Sequence, residues 1–217
     1  MELYSFFNSS TSWRVRIALA LKGLDYATLP VNIRTLAHRE SQYVNEVNAS
    51  AAVPALADAA LEGGPLGQSL AMIDWLDAQH PEPRLIPADA QQRARVLEFA
   101  DLIACDIHPV NNLRVLRYLQ DVLKVTAEQK DAWYRHWIAE GMAGVERLLV
   151  RARSEGPWCF GAQPTLADCC LIPQIGNALR FGCDLAAYPR AMAVYEHAQT
   201  HAAFMQAQPQ RQPDYIA

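Results

Sequence analysis

The stretch HPEPRLIPAD, residues 80–89, carries three of the chain's 13 prolines and separates two halves whose apolar residues repeat with different periods. Proline lacks an amide N–H and pushes its predecessor toward extended geometry, so a helix does not run through such a stretch. Before it, strand and helix signals alternate. LYSFF is a short apolar and aromatic run, SWRVRIALALKG has helical spacing, and YATLPVNI is strand-like again, which is the order of a βαβ unit. In the helical segment Val15, Ala18 and Leu19 fall at i, i+3 and i+4, Ile17 and Leu21 widen the apolar side, and Gly23 marks the stop. VPALA and AALEGG, joined around Asp58, are expected to form an antiparallel pair. GQSLAMIDWLDAQHP then places Leu70, Ile73 and Leu76 at helical spacing, so the first half reads βαβαββα.

After the prolines every signal is helical: QQRARVLEFADLIACDIH, LRVLRYLQDVL, the long run from Thr126 to Arg153, TLADCCLIPQIGNALRF and PRAMAVYEHAQTHAAFM. Thr126 with Gln129 and Thr165 with Asp168 have the spacing of capping boxes, and for Asp168 capping is the expected role. The expected division is an α/β domain at 1–80, a linker at 81–87 and an all-α domain at 88–217. With 217 residues, 51% of them hydrophobic, the chain has room for both.

Charge and composition narrow the partners. A net charge of -4, with no block of basic residues, argues against a nucleic-acid binder and favours small molecules or proteins. MELYSFFNSS lacks the basic and apolar segments of a secretory signal and no window suits a membrane span, so a cytoplasmic protein without membrane partners is expected. The five cysteines are odd in number and contain no C-x-x-C pair, so small buried apolar residues are expected rather than disulfides or a zinc site. His197 and His201 have i, i+4 spacing but no third ligand. A solvated helix face is expected there, and no metal.

Ser9, Ser10, Thr11 and Ser12 crowd the start of the first helix. One hydroxyl suffices for an N-cap, and the others would suit an anion held by unpaired amides and the positive end of the helix dipole. Two further segments have the same double reading. A cis bond between Val53 and Pro54 would leave the Val53 backbone free to pair with a ligand, whereas a trans bond is ordinary chain. Gln68 and Ser69 open another helix, where they either cap it or hold a carboxylate.

With these segments in place, the chain resembles the zeta class of the glutathione transferases, which includes the maleylacetoacetate and maleylpyruvate isomerases. Ser9 to Gly23 match the family signature S-S-x-S-W-R-V-R-I-A-L-x-L-K-G almost throughout. VPAL, GQSLAMIDWL, HPEPRLIP, DIHPVNNLRVLRYL, TLADCCLIPQ, NALRF and the terminal QRQPD also have zeta-like counterparts. The resemblance implies a thioredoxin-like domain that binds glutathione, a helical domain that completes the substrate pocket, and a homodimer. It implies that Ser9 and Thr11, with Ser10 beside them, act on the glutathione sulfur. Val53 and Pro54 would serve the cysteinyl part, Gln68 and Ser69 the γ-glutamyl end, and His38 the glycyl carboxylate. A small dicarboxylate substrate would be met by His108, Asn112, Arg114 and Arg180, with Asn111 in the same segment.

The activity implied is glutathione-dependent cis-trans isomerisation of maleylpyruvate or maleylacetoacetate in the catabolism of aromatic compounds. A transferase or dehalogenase of the same fold that consumes glutathione, and a non-catalytic binding protein, are the alternatives. The chain departs from the family at Asn8, where relatives often carry arginine, and at Ala49 and Ala52, where they tend to carry proline and glutamine. The sulfur-side hydroxyls are untouched by these changes.

Overall fold

A computed structural model describes residues 1–216. The chain packs as two units, one of Met1–Ile86 together with the stretch from Gln199 onward, the other of Pro87–Ala198. The first unit contains β1 (Glu2–Ser5), α1 (Ser10–Leu21), β2 (Ala27–Pro30), α2 (Ser41–Glu46), β3 (Ala55–Ala57), β4 (Leu66–Gly67) and α3 (Ser69–Gln79). The strands lie in the order β2-β1-β3-β4, with β1 parallel to β2 and antiparallel to β3, and β3 antiparallel to β4. The βαβαββα order therefore holds.

One strand differs from expectation. The partner of β3 is Leu66–Gly67, and AALEGG is the turn that leads to it. Asp58 Oδ1 accepts the Ala60 N–H at 2.9 Å, and Gly63 and Gly64 take positive φ values, so this segment folds on itself instead of pairing.

Helix α1 is buried on nearly every side, from Ser12 through Leu19. It ends as expected, with Gly23 at φ 63° and Leu24 N–H returning to the Leu19 carbonyl at 3.0 Å. Arg16, inside this helix, donates to Ala207 O at 3.1 Å, Ser5 Oγ at 3.2 Å and Phe7 O at 2.9 Å. Burial pulls its pKa down to about 10, against the raising influence of Tyr26 and Asp214. Asp214 Oδ2 in turn accepts the Phe7 N–H at 2.8 Å. These bonds draw the C-terminal stretch, assigned from sequence to the helical half, onto the first unit.

Lys22 and Asp77 form an ion pair of 2.8 Å with side chains 0% and 4% exposed. Lys22 also donates to the carbonyls of His80 and Pro83, and Asp77 accepts the amides of Leu85 and Ile86. The proline-rich segment is thereby tied to α1 and α3.

The second unit begins with α4 (Ala90–Asp101), which passes through a π-helical turn, Leu102–Ile107, into α5 (His108–Val110). It continues with α6 (Leu113–Asp121), α7 (Ala127–Ala152), α8 (Leu166–Arg180) and α9 (Pro189–Ala198). Both capping boxes are formed. Asp168, 0% exposed, accepts N–H bonds from Cys159 and Thr165, yet burial still pushes its carboxyl above the ordinary value.

The run PRAMAVYEHAQTHAAFM is two helices, because the chain turns at 199–201 before α10 (Ala202–Gln206) in the first unit. His201 caps α10, with Nδ1 accepting the Ala203 N–H, and His197 lies edge-on to Trp158 at 4.7 Å. Both are half-buried, and the break between α9 and α10 separates them, so they do not share the one helical face expected of the pair. Four cysteines are buried as expected, but Cys105, on the π-helical turn, is exposed. No helix among the described residues is long and apolar enough to cross a membrane.

Candidate functional site

The hydroxyl cluster divides its labour. Ser9 is the N-cap of α1, in extended geometry, and its Oγ accepts the Ser12 N–H at 3.2 Å. Thr11 Oγ1 donates its single proton to the Val53 carbonyl at 2.9 Å, so in the 2.8 Å contact between Ser9 and Thr11 the Ser9 hydroxyl is the donor. Ser12 N–H, Ser9, Thr11 and Val53 C=O thus form one directed chain. Ser10 is buried as the first residue of α1, and the first turn contains no acidic side chain to offset the helix dipole.

The Val53–Pro54 bond is cis. Ala52 O accepts from Tyr43 Oη and Asn48 Nδ2, both at 2.8 Å, Val53 O from Thr11, and Pro54 O from Asn48 Nδ2 at 3.2 Å. Val53 itself is buried with Phe6, Phe7, Val31 and Tyr43. Asn48 needs close quarters, since a Cβ at Gly67 would stand 3.2 Å from its Oδ1. The chain between residues 52 and 54 is therefore presented in one conformation.

At the start of α3, Gln68 is exposed, has φ 66°, and makes no side-chain capping bond. A non-glycine residue at positive φ is strained, and capping does not account for the strain here. Ser69 is buried, and its Oγ accepts from Arg14 Nη1 at 3.4 Å. His38 lies on the 3₁₀ turn Ala37–Arg39 that follows Leu36 at φ 68°; it is buried, 8% exposed, and not a solvated loop residue.

In the second unit Asn112 caps α6, its Oδ1 accepting the Arg114 N–H at 3.1 Å. That bond orients the amide, so Asn112 Nδ2 is the donor toward His108 Nε2 at 3.2 Å, and the neutral His108 ring carries its proton on Nδ1. Arg114 is exposed on the first turn of α6, and Arg180 is exposed on the last residue of α8. The Arg180 guanidinium lies 5.2 Å from the Phe181 ring centroid, and Phe181 stacks on Tyr134 at 4.0 Å. Burial pushes the Tyr134 hydroxyl up, with Arg180 opposing. Asn111 Nδ2 donates to Tyr134 O at 3.3 Å, and Trp133 Nε1 to Val110 O at 2.9 Å. The segment 108–114 and the end of α8 are thus joined through Tyr134 and Phe181.

The structure places Ser9, Ser10, Thr11, Val53 and Pro54 around one helix start, and links Ser69 to the same helix through Arg14. Sequence reasoning did not single out Arg14, Asn48, Tyr134 or Phe181. The two arginines of WRVR, inside an otherwise apolar helix, were the signal for Arg14. The others have no local signature.

Residues 8–79 match the family model for the glutathione S-transferase N-terminal domain, and residues 131–197 that for the glutathione S-transferase C-terminal domain. The chain is 44% identical to the maleylacetoacetate isomerase of Pseudomonas aeruginosa, over 99% of this chain and 98% of that protein. The chain belongs to the zeta class of the glutathione S-transferases. Among solved structures, the holo form of a maleylpyruvate isomerase, a bacterial zeta-class transferase, covers all of both chains with 42% identity and a TM-score of 0.95. A maleylacetoacetate isomerase from Anaeromyxobacter dehalogenans 2CP-1 with glutathione in its active site has 38% identity and a TM-score of 0.88, covering 99% of this chain and 97% of that one.

Within this zeta-class chain, the α1 start, the held Val53 carbonyl and the α3 start all lie in the first unit and within the stretch that the N-terminal domain model matches. Neither helix has an acidic residue in its first turn, and helix starts of this kind favour anions.

Proposed function

We propose that this zeta-class chain is a glutathione-dependent cis-trans isomerase of maleylpyruvate or maleylacetoacetate, acting in the catabolism of aromatic compounds. The observation that carries the reading is the directed chain from Ser12 N–H through Ser9 and Thr11 to the Val53 carbonyl, beside a cis proline, at a helix start free of acids. Full-length identity of 42–44% to isomerases of these two substrates supports it.

When bound, glutathione supplies a thiolate that adds reversibly to the conjugated alkene, lets the former double bond rotate, and is eliminated unchanged. The protein's part begins with the sulfur. A free thiol has a pKa near ~8.5, and each unit by which the site lowers it needs ~1.4 kcal/mol of preferential thiolate stabilisation. Ser9 and Thr11, with Ser10 beside them, supply donors at the positive end of α1. Thr11 donates to the Val53 carbonyl, and a ligand amide on that carbonyl would leave the Thr11 proton for the sulfur.

Val53 and Pro54 seat the cysteinyl part, Gln68 and Ser69 hold the γ-glutamyl end, and His38 meets the glycyl carboxylate. Arg180 and Arg114 take the carboxylates of the substrate, and Asn112 and His108 add neutral donors for the oxygen on which charge develops. Residues 1–80 serve glutathione and residues 88–217 contribute to the substrate side, in a cytoplasmic homodimer.

Turnover of maleylpyruvate and maleylacetoacetate, with and without glutathione, tests the proposal. Loss of the conjugated absorbance of the cis isomer should require glutathione while total glutathione stays constant. Stoichiometric consumption would make the chain a transferase or dehalogenase, and binding without turnover would make it a binding protein.

A further inference from the structure

Two arginines two residues apart in α1, Arg14 and Arg16, are each 1% exposed, but they are satisfied very differently. Arg16 is surrounded by carbonyls and the Ser5 hydroxyl. Arg14 makes one long bond, Nη1 to Ser69 Oγ at 3.4 Å, while its Nε and Nη2 are buried with no hydrogen-bond partner among the described residues. A guanidinium has five N–H donors, no acceptor, and is charged at every accessible pH. Buried charges are ordinarily paired, because desolvation is otherwise uncompensated.

The geometry says where the missing negative charge belongs. Because Arg14 can only donate, Ser69 Oγ must accept, which leaves the Ser69 proton to be given away from Arg14. Ser69 is the first residue of α3, whose N-cap Gln68 makes no capping bond and whose first turn holds no acid. A helix start with open amides, a serine poised to donate and a buried cation behind it form a receptor for a carboxylate.

We propose that Arg14 is a positioning residue for the α-carboxylate of the γ-glutamyl group, directing the Ser69 hydroxyl toward it and supplying the buried positive charge that makes the α3 start selective for an anion. This rests on the reading that the chain binds glutathione. Arg14 does not touch the ligand and acts through Ser69 and its field.

The test is equilibrium binding of two ligands to the full chain: glutathione, and 4-aminobutyryl-cysteinyl-glycine, which lacks only that carboxylate. Wild type should prefer glutathione, Arg14→Met should weaken glutathione about 10-fold or more while leaving the analogue unchanged, and Arg14→Lys should recover part of the loss. With an unpaired buried charge removed, ligand-free Arg14→Met should melt no lower than wild type. Equal losses on the two ligands, or no loss on either, would overturn the inference, as would a lowered melting temperature without ligand. Should Arg14→Met not fold, Arg14→Lys decides by the same comparison, equal losses again counting against it. Wild type that binds glutathione and the analogue equally would sink this inference alone, whereas wild type that binds neither would sink the glutathione reading with it.

Discussion

The Thr11 hydroxyl donates to the Val53 carbonyl across 42 residues of sequence, at 2.9 Å, and receives in turn the proton of Ser9, the cap of α1. The hydroxyl that caps and the hydroxyl that binds the cis-proline loop are therefore different residues with different costs of removal.

Ser9→Ala should lower stability by ~1 kcal/mol, the usual worth of an N-cap, because no other hydroxyl holds the Ser12 amide. Thr11→Val keeps the helix start and should cost less in chemical denaturation. Both should raise the apparent pKa of bound glutathione, read from thiolate absorbance against pH. Unchanged titration in both variants would reduce the cluster to a structural cap.

Arg180 stands at an exposed helix end, braced by Phe181 on Tyr134. Arg180→Ala should lower kcat/KM for the dicarboxylate by ~2 kcal/mol, roughly 30-fold, the size of a hydrogen bond to a charged group. Conjugation of an uncharged electrophile and glutathione affinity should barely move. Lysine should rescue only partly, since it lacks the planar two-point contact. Equal loss on charged and uncharged substrates would assign Arg180 to structure and remove the dicarboxylate from the proposal.

Asp77→Asn leaves Lys22 buried without its counter-charge and weakens the acceptors for Leu85 and Ile86. A loss of ~3 to 5 kcal/mol is expected by urea denaturation. A loss below ~1 kcal/mol would show that the His80 and Pro83 carbonyls alone suffice for Lys22.

For Asp168 burial is the dominant influence and raises the folded pKa above the unfolded one, so the native state binds the proton more tightly. The sign follows: its contribution is fully present below the unfolded value near ~3.9 and is lost as pH rises through the folded value. Asp168→Asn should be less stable than wild type, because an amide cannot accept from Cys159 and Thr165 on both atoms. That deficit should narrow from pH ~4 toward neutrality in paired denaturation curves. A deficit that widens with pH would mean that the hydrogen bonds to the carboxylate outweigh its desolvation.

The positions of the secondary elements were largely legible in the sequence, and the misreadings are instructive. AALEGG has apolar residues enough for a strand, but Asp58 and the glycines at positive φ close it as a turn. The helical pattern from Pro189 to Met205 continues through a break that only the His201 cap reveals. Among the site residues, Gln68 has φ 66° and its side chain makes no capping bond, which its sequence neighbours do not announce. His38, in a polar segment, had no local sign of being buried.

By itself the sequence determined the division at the prolines, the βαβαββα order, the two capping boxes and the hydroxyl-rich start of α1. Each depends on rules that operate within about one helical turn: a missing N–H, an apolar period, a side chain bonded to an amide three residues on. The tertiary structure alone decided that Thr11 bonds Val53, that Arg16 reaches Ala207 across 191 residues, and that Arg14 is buried with Nε and Nη2 unpaired among the described residues. Those outcomes depend on which distant carbonyls and hydroxyls arrive beside a donor. Arg14 and Arg16 are the same residue type in the same buried helix, and only what the fold brings to each distinguishes them.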